Sequence, residues 1–244
     1  MIHTIKHMSW AQFDERRKQT KLAIIPTGAI EEYGPHMPLG TDVIVAEALA
    51  ERVAQARTCV IAPAIEMGES SSLMCMPGTM ALTMDNYKAV IQNEIDLLLG
   101  YGFTRLLFIN GHGGNTPIIT YLAKKAQAEH EGVLCAMADV WPLVEKLGGS
   151  VFEHTGAMAH GHAAESNTSI MLHIHPELVD MSKAVKVEPK KRPVPEITSY
   201  VKLTDQTPNG VIGDPTNATA EKGKQIMDLC TAKIIEFIDS YFGE

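Results

Sequence analysis

Residues 105–117 read RLLFINGHGGNTP, and this stretch decides the class of fold. Residues 105–109 are mostly apolar, as in a buried β-strand, and a glycine-rich turn follows them. The sequence Asn115-Thr116-Pro117 then predicts the start of a helix, because a proline in the first turn needs no amide hydrogen there. A strand, a short loop and a helix in this order are typical of parallel sheets whose strands are joined by helices.

The same alternation continues along most of the chain. Further strands are predicted over residues 21–26, 58–65 and 133–140. Helices are predicted from Thr41 or Asp42 to 56, from a cap at Asp85 to 100, and over 115–130, 163–174 and 218–241. This order predicts an α/β fold with a mainly parallel sheet that is covered on both faces.

The length of 244 residues is enough for one sizeable α/β domain and short for two, so we expect a single domain over residues 1–244. A segment at about 185–213 differs in character, since it is rich in proline and basic residues. We interpret it as an extended excursion, with three alternatives left open: an oligomer arm, a lid over the site, or an ordinary surface loop.

The composition argues against several partners. A formal net charge of −8 without a long basic run disfavours nucleic acid and anionic membranes as partners. No apolar run approaches the roughly 20 residues that span a bilayer, and the N-terminus lacks the apolar stretch of a signal peptide. The four cysteines form no CxxC pair. We therefore expect a cytoplasmic protein with reduced thiols.

Two predicted loops carry side chains that bind metals. In parallel α/β folds, ligands bind beyond the carboxyl ends of the strands, where residues 28–40 and 110–115 are expected to lie. The first loop contains Glu31 and His36 and ends at Asp42, and the second places His112 among three glycines. Carboxylates and imidazoles suit divalent zinc, manganese or iron. The simpler alternatives are a helix N-cap for Asp42 and a loop hydrogen bond for His36.

A third element has similar chemistry. His162 precedes a predicted helix whose first turn contains Glu165. Glu165 is either a carboxylate ligand or a residue placed favourably near a helix N-terminus. The sequence lacks the GxSxG motif of serine hydrolases, the lysine of a Walker A loop and the GxGxxG dinucleotide motif. Metal-assisted chemistry is therefore the leading hypothesis.

At these three places the sequence resembles the creatininase family of metal-dependent amidohydrolases. The resemblance covers residues 24–223, is strongest over 31–42, 110–115 and 162–169, and includes weaker matches at 77–79, 213–215 and 221–223. It implies a three-layer α/β/α sandwich, a homohexamer and two divalent metals. By position, Glu31 and His112 match metal ligands, Asp42 matches the aspartate that bridges the metals, and His162 matches a histidine of acid/base catalysis.

The departures from the family pattern concern the second metal and the substrate pocket. Tyr33 stands where the family has a ligand histidine, and a phenol with a pKa near 10 is a poor ligand. The second metal site is therefore weakened or lost unless His36 or another group supplies the missing ligand. Gly114 stands where creatininase itself has a ligand glutamate, so Glu165 is the expected replacement. The family often has an acidic residue and a histidine where this chain has Ser72 and Leu73. The resemblance thus implies a divergent member other than creatininase itself.

We therefore predict a hydrolase that uses metal-activated water on a carbonyl-containing small molecule. The expected bond is a non-peptide C–N bond of a cyclic amide or formamide. Zinc is the favoured cofactor, with manganese or iron as alternatives and one or two ions bound. His162 or Glu165 would transfer protons, and Tyr33 would donate a hydrogen bond to the oxyanion. Two other functions stay open: C–C bond hydrolysis that opens a cyclic keto-polyol of the inosose type, and non-catalytic binding of a metal or small ligand.

Overall fold

The computed structural model describes residues 2–190 and 201–243. In this part of the chain, one sheet is formed by β1 (Leu22–Thr27), β2 (Val60–Ile61), β3 (Arg105–Asn110) and β4 (Leu134–Asp139). The strand order is β2-β1-β3-β4, and every neighbouring pair is parallel. The predicted parallel α/β fold is confirmed.

Helices precede, connect and follow the strands. They are α1 (Trp10–Gln19), α2 (Thr41–Ala56), α3 (Met84–Gly100), α4 (Thr116–Glu129), α5 (Val140–Gly148), α6 (Ala157–His160), α7 (Glu165–Ile174), α8 (Leu203–Gln206) and α9 (Ala220–Phe237). Short 3-10 turns cover Ile5–His7, Ser71–Leu73, Gly113–Asn115, Pro176–Leu178, Met181–Lys183 and Pro215–Asn217, and a π-helical turn, Ile238–Phe242, follows α9.

The core has two halves, one on each face of the sheet. Alternate strand residues point to opposite faces. Ile24 and Leu107 therefore pack with residues of α2, α5, α7 and α9, whereas Ile25 and Phe108 pack with residues of α3 and α4. These side chains are at most 1% exposed. Two helical layers around one sheet give the three-layer α/β/α sandwich that the resemblance implied.

Some predicted boundaries were wrong for local reasons. The strand predicted over residues 58–65 is reduced to two residues, followed by an isolated bridge at Ile65, because Pro63 has no amide hydrogen for the sheet. The N-cap of α3 is Thr83, whose Oγ1 accepts from the Asn86 amide, and not Asp85. The polar helix α1 was missed.

The two ends of the excursion are joined by one pair of backbone hydrogen bonds. Val187 and Gly213 form an antiparallel bridge, with N–O distances of 2.9 and 2.8 Å. Residues 191–200 of the excursion lie outside the described part. None of the helices in residues 2–190 and 201–243 is long and apolar enough to cross a membrane. That residues 1–244 form one domain stays a prediction.

Candidate active site

The ends of three neighbouring strands are joined by polar side chains. Thr27, Asn110 and Asp139 are paired in register at the carboxyl ends of β1, β3 and β4. Thr27 Oγ1 donates to Asn110 Oδ1 at 2.9 Å, and Asn110 Nδ2 lies 3.2 Å from Asp139 Oδ1. Asn110 Nδ2 also donates to the carbonyl of His112 at 2.7 Å. These bonds fix the start of the glycine-rich loop relative to the sheet.

Three predicted metal ligands meet at this edge. His112 Nδ1 lies 3.0 Å from Glu31 Oε2 and 3.2 Å from Asp42 Oδ2. The residues His112, Glu31 and Asp42 are 7%, 2% and 1% exposed, respectively. One donor atom from each lies within 4.8 Å of the others, and the described residues contain no second group of this kind. The structure therefore brings Glu31, Asp42 and His112 together.

The orientation of His112 suits it to bind a metal through Nδ1. Its Nε2 lies 2.9 Å from the carbonyl oxygen of Glu69, which can only accept a hydrogen bond. That contact places a proton on Nε2, so Nδ1, which faces the two carboxylates, is the nitrogen that can bind a metal once its own proton has left. Ser70 Oγ donates to Glu31 Oε2 at 2.7 Å and so orients the second ligand.

The two oxygens of Asp42 have different surroundings. Oδ1 accepts hydrogen bonds from Tyr33 Oη at 2.7 Å and from Trp141 Nε1 at 3.0 Å. Oδ2 faces His112 and is buried without a hydrogen-bond partner. A buried carboxylate oxygen without a donor is costly, and a bound cation would remove that cost. The residues present therefore fit a divalent metal. Asp42 is not the cap of α2, which is Gly40.

The charges of Glu31, Asp42 and His112 shift one another's pKa values. Burial and the neighbouring Glu31 raise the pKa of Asp42 to about 6. Burial alone would lower the pKa of His112, but its close contacts with the carboxylates of Asp42 and Glu31 outweigh burial and raise it well above its ordinary value. For Glu31, burial opposes ionisation, yet contact with His112 brings its pKa below the ordinary value. The two carboxylates thus create a site for positive charge.

His162 lines the same pocket. Its Nε2 is 2.7 Å from the carbonyl oxygen of Glu32 and 3.0 Å from Glu32 Oε1. Its ring packs against that of Tyr33, with centroids 4.4 Å apart. Burial lowers the pKa of His162, but the hydrogen bond and charge of Glu32 outweigh burial and raise it to about 9. His162 is thus held by a carboxylate and carries a proton at neutral pH.

The pocket around these groups has a volume of about 310 Å³. This volume is in the range of small-molecule sites. Ser72 and Leu73 line it, as expected of pocket residues. Its other lining residues are Glu31, Tyr33, Asp42, Glu69, His112, Gly113, Gly114, Trp141, His162, Val201, Leu203 and Gln206. The last three come from the excursion, whose described end therefore borders the site.

The structure places Glu165 elsewhere. It is fully buried at the start of α7, and its Oε1 lies 2.7 Å from Lys222 Nζ. The amides of Glu153 and His154 also donate to its carboxylate, at 3.0 and 3.4 Å. Glu165 is absent from both the pocket lining and the ligand cluster of the described residues. The prediction that it replaces a missing ligand, or transfers protons, does not fit this arrangement.

Two further expectations are changed by the structure. Tyr33 donates its hydroxyl proton to Asp42 Oδ1, a bond that positions this carboxylate and competes with the predicted donation to the oxyanion. His36 is buried with Nε2 2.9 Å from Thr168 Oγ1 and does not replace the ligand histidine. Its role is to join the first loop to α7.

Sequence reasoning missed three residues that position the site: Glu32, Ser70 and Trp141. Glu32 had a usable signal, since it is the second of two adjacent carboxylates in the first loop. Trp141 follows the end of β4, where a parallel fold places functional side chains. Ser70 lies in a loop without a recognisable pattern, and only the folded chain brings it to Glu31.

The parallel sheet thus carries two carboxylates and an imidazole nitrogen at its carboxyl edge, a set of donors that suits a divalent metal. The chain belongs to the creatininase family, whose profile, described as creatinine amidohydrolase, matches residues 6–238. The family membership that the loops indicated is thereby confirmed.

Similar proteins carry different activities. The chain is 31% identical over 232 residues to a mycofactocin precursor peptide peptidase of Mycobacterium ulcerans (strain Agy99). This alignment covers 86% of the chain and 83% of that protein. It is 25% identical over 260 residues to a creatinine amidohydrolase of Pseudomonas putida, covering 98% and 96%. It is 28% identical over 252 residues to a 3-dehydro-scyllo-inosose hydrolase of Thermotoga maritima (strain ATCC 43589), covering 89% and 76%.

Solved creatininases share the fold. A structure described as creatininase Mn aligns with a TM-score of 0.87 at 24% identity, and a mutant creatininase of Zn-Zn type aligns with 0.86 at 24%. Both alignments cover 100% of each chain. Manganese and zinc are thus the metals named for proteins of this fold.

Proposed function

We propose that this protein hydrolyses a non-peptide C–N bond in a small carbonyl compound, such as a cyclic amide or a formamide. The observation that supports it is the meeting of two kinds of group in one pocket. The cluster of Glu31, Asp42 and His112 lines the pocket, and His162, which is held by Glu32, lines the same pocket. Hydrolysis of an amide needs both an activated water and a proton for the leaving nitrogen.

Glu31, Asp42 and His112 would hold a divalent cation, with zinc favoured and manganese or iron as alternatives. When bound, such an ion polarises a carbonyl and lowers the pKa of water. Ser70 and Glu69 keep Glu31 and His112 in the orientation that the cation needs.

His162 would supply the proton to the leaving nitrogen. Glu32 holds Nε2, so Nδ1 is the ring nitrogen left to donate toward substrate. Glu32 stabilises the imidazolium before transfer and fixes the ring plane, much as a carboxylate orients a catalytic histidine in other hydrolases. The stacked Tyr33 ring restricts rotation of His162 further.

Hydrolysis of a C–C bond beside a ketone is the second candidate. The relative that is named an inosose hydrolase supports this candidate. The same groups of the site would serve, because attack on the ketone needs an activated water and the carbanion that leaves needs a proton from an acid. Creatinine itself is not the expected substrate, because Tyr33, Gly114, Ser72 and Leu73 alter the pocket.

The test combines metal analysis with a substrate panel. Purified protein loaded with zinc or manganese is assayed on cyclic amides, formamides, short peptides, cyclic keto-polyols and creatinine. We expect turnover of a cyclic amide or formamide, with creatinine poor. Turnover confined to keto-polyols would favour the second candidate, and turnover confined to peptides would redirect the proposal toward the activity named for the mycobacterial relative.

Two ligand variants test the role of the metal cluster. Glu31→Gln and His112→Ala should each lose bound metal and at least about 100-fold in kcat, because each removes one of three protein donors. A matched control is Glu131→Gln, at an exposed glutamate outside the pocket. Unchanged turnover in both ligand variants would refute the metal-hydrolase mechanism. Metal bound by the wild type without turnover of any compound in the panel would instead favour non-catalytic binding.

A further inference from the structure

We infer that the site binds one divalent ion and not two, because Tyr33 and Trp141 occupy the Asp42 oxygen that a second ion would need. This inference rests on the proposed metal function of Glu31, Asp42 and His112, and it concerns the number of ions bound there. The aspartate would thus be a terminal ligand through Oδ2.

The first step concerns the lone pairs of Asp42. An ionised carboxylate offers about two acceptor positions on each oxygen. Oδ1 receives two hydrogen bonds, from Tyr33 Oη at 2.7 Å and Trp141 Nε1 at 3.0 Å, so both of its positions are taken. Oδ2 has no hydrogen-bond partner and faces His112 and Glu31. A bridge through both oxygens would have to break the bonds to two aromatic side chains.

Those two donors are held in place by packing. Tyr33 is 2% exposed and its ring lies 6.2 Å from that of Trp141 and 4.4 Å from that of His162. Rotation of either donor away from Asp42 would disturb this aromatic group. Trp141 can only donate a hydrogen bond, because its indole nitrogen has no free lone pair for a cation. The surroundings of Oδ1 therefore supply hydrogen-bond donors, which stabilise a carboxylate oxygen and not a cation.

The second step concerns other donors. Gly114 has no side chain, and a Cβ at that position would lie 2.1 Å from the carbonyl oxygen of Glu69, so the loop has no space for a ligand there. Oε1 of Glu69 accepts hydrogen bonds from the hydroxyl and the amide of Ser71. His36 is bound to Thr168 outside the pocket. In the described part of the chain, a second ion would lack a complete set of protein ligands.

The test counts ions directly. The full-length protein is saturated with zinc, separated from excess metal and analysed for zinc per chain, and a manganese-loaded sample is examined by electron paramagnetic resonance. We expect one zinc per chain and the spectrum of an isolated manganese ion. Two zinc ions per chain, or the spectrum of an exchange-coupled pair, would overturn the inference while leaving the metal function intact. No bound ion would instead remove the proposed metal site.

Variants of Tyr33 separate the number of ions from the loss of folding. Tyr33→His removes one donor to Oδ1 and adds an imidazole, so a second, weaker zinc is expected. Tyr33→Phe removes the donor without adding a ligand and should keep one zinc, bound about 10–100-fold more weakly. Tyr121→His, at a tyrosine that is 56% exposed, is the control and should keep one zinc with unchanged affinity.

Circular dichroism of each variant shows whether it is folded before ions are counted. A folded Tyr33→His protein that binds one zinc, as the wild type does, would contradict the role assigned to Tyr33. A second zinc in Tyr121→His as well would show that added histidine alone is responsible, and would equally contradict it.

Discussion

Asp42 shows how one side chain can serve two purposes at the start of a helix. It is the second residue of α2, and the peptide groups there favour negative charge. Tyr33 and Trp141 bind one oxygen and leave the other toward His112. Burial and the neighbouring Glu31 nevertheless raise the pKa of this carboxyl to about 6.

At the residue scale, the ligand types could be predicted and their supporting contacts could not. Glu31, Asp42 and His112 follow strand ends in loops with glycine, and such positions converge in any parallel sheet. Glu165 seemed equivalent because it lies near His162 in sequence. Its carboxylate points to Lys222 in a helix 57 positions later, a contact that no local pattern indicates.

Replacement of His162 should reduce the rate without loss of metal. His162→Ala is expected to lower kcat by about 10²–10⁴-fold, because the leaving group loses its proton donor. Metal content should stay unchanged, since His162 is held by Glu32 and is not part of the ligand cluster. Steady-state kinetics with metal analysis measures both quantities.

His160→Ala is the matched control for that variant. His160 packs edge-on against Phe152, with ring centroids 5.1 Å apart, and does not line the pocket. Its replacement should leave kcat within about threefold of wild type. Equal losses in both variants would indicate a structural effect and argue against His162 as the acid.

At the scale of elements, the strand–loop–helix units followed from local pattern. β1, β3, β4 and α2 begin and end within one or two residues of the predicted bounds. The predicted boundaries were wrong where a tertiary contact or a single residue determines the end of an element, as Pro63 does in the second strand. Arg16 is the one buried residue of helix α1, so the sequence of this helix shows no apolar stripe to detect.

The loop after β3 depends on a glycine that touches α2. A Cβ at Gly111 would lie 2.3 Å from the carbonyl oxygen of Asp42, whereas a Cβ at Gly113 would meet no atom within 4 Å. Gly111→Ala is therefore expected to lower the free energy of unfolding by about 1–3 kcal/mol and to weaken metal binding, because it separates His112 from Asp42.

Gly113→Ala in the same loop provides the comparison. Its unfolding free energy should stay within about 0.5 kcal/mol of wild type. Denaturant titration and a zinc-binding isotherm for both variants give the two quantities. A Gly111→Ala protein as stable and as tightly metal-bound as the Gly113→Ala protein would show that the close approach is not required.

A buried ion pair connects α7 to α9. Lys222→Met leaves the carboxylate of Glu165, which is fully buried, without its counterion. We expect a loss of about 3–5 kcal/mol in the free energy of unfolding, with metal content unchanged under native conditions. Denaturation curves and metal analysis provide the measurement.

The exposed pair of Lys224 and Asp228 on the same helix is the control. Its Nζ–Oδ2 distance is also 2.7 Å, but the side chains are 55% and 48% exposed. Lys224→Met should cost less than about 1 kcal/mol. Loss of metal in the folded Lys222→Met protein would restore Glu165 as a candidate ligand.

At the scale of the whole molecule, the surface opposite α2 has an apolar groove of about 440 Å³ between α1 and α3. Trp10 is 84% exposed at its margin. Glu94 lies in this groove, and its Oε1 is buried without a hydrogen-bond partner. The homohexamer implied by the resemblance stays a prediction, as does the cytoplasmic location.

Glu94 should make stability depend on pH. Burial raises its pKa from 4.5 to about 7, so the folded state holds this proton more tightly than the unfolded state. Its contribution to stability is complete below pH 4.5 and is lost as the pH rises through about 7. Glu94→Gln, which is neutral at every pH, should be more stable than wild type by about 1–3 kcal/mol at about pH 8.

The gain of Glu94→Gln should disappear when unfolding is measured below about pH 4.5, where wild-type Glu94 is protonated in both states. Glu131→Gln, at an exposed position, should show no such trend and serves as the control. A difference between Glu94→Gln and wild type that is constant with pH would contradict the ionisation argument.

The bond between Glu165 and Lys222 also has a consequence for synthesis on the ribosome. Glu165 leaves the exit tunnel long before its counterion, since 57 positions separate them along the chain. Any product that terminates early, before α9, would have to bury an uncompensated carboxylate or leave α7 undocked. We therefore expect α7 to dock onto the rest of the fold only after α9 has been synthesised and can supply the counterion.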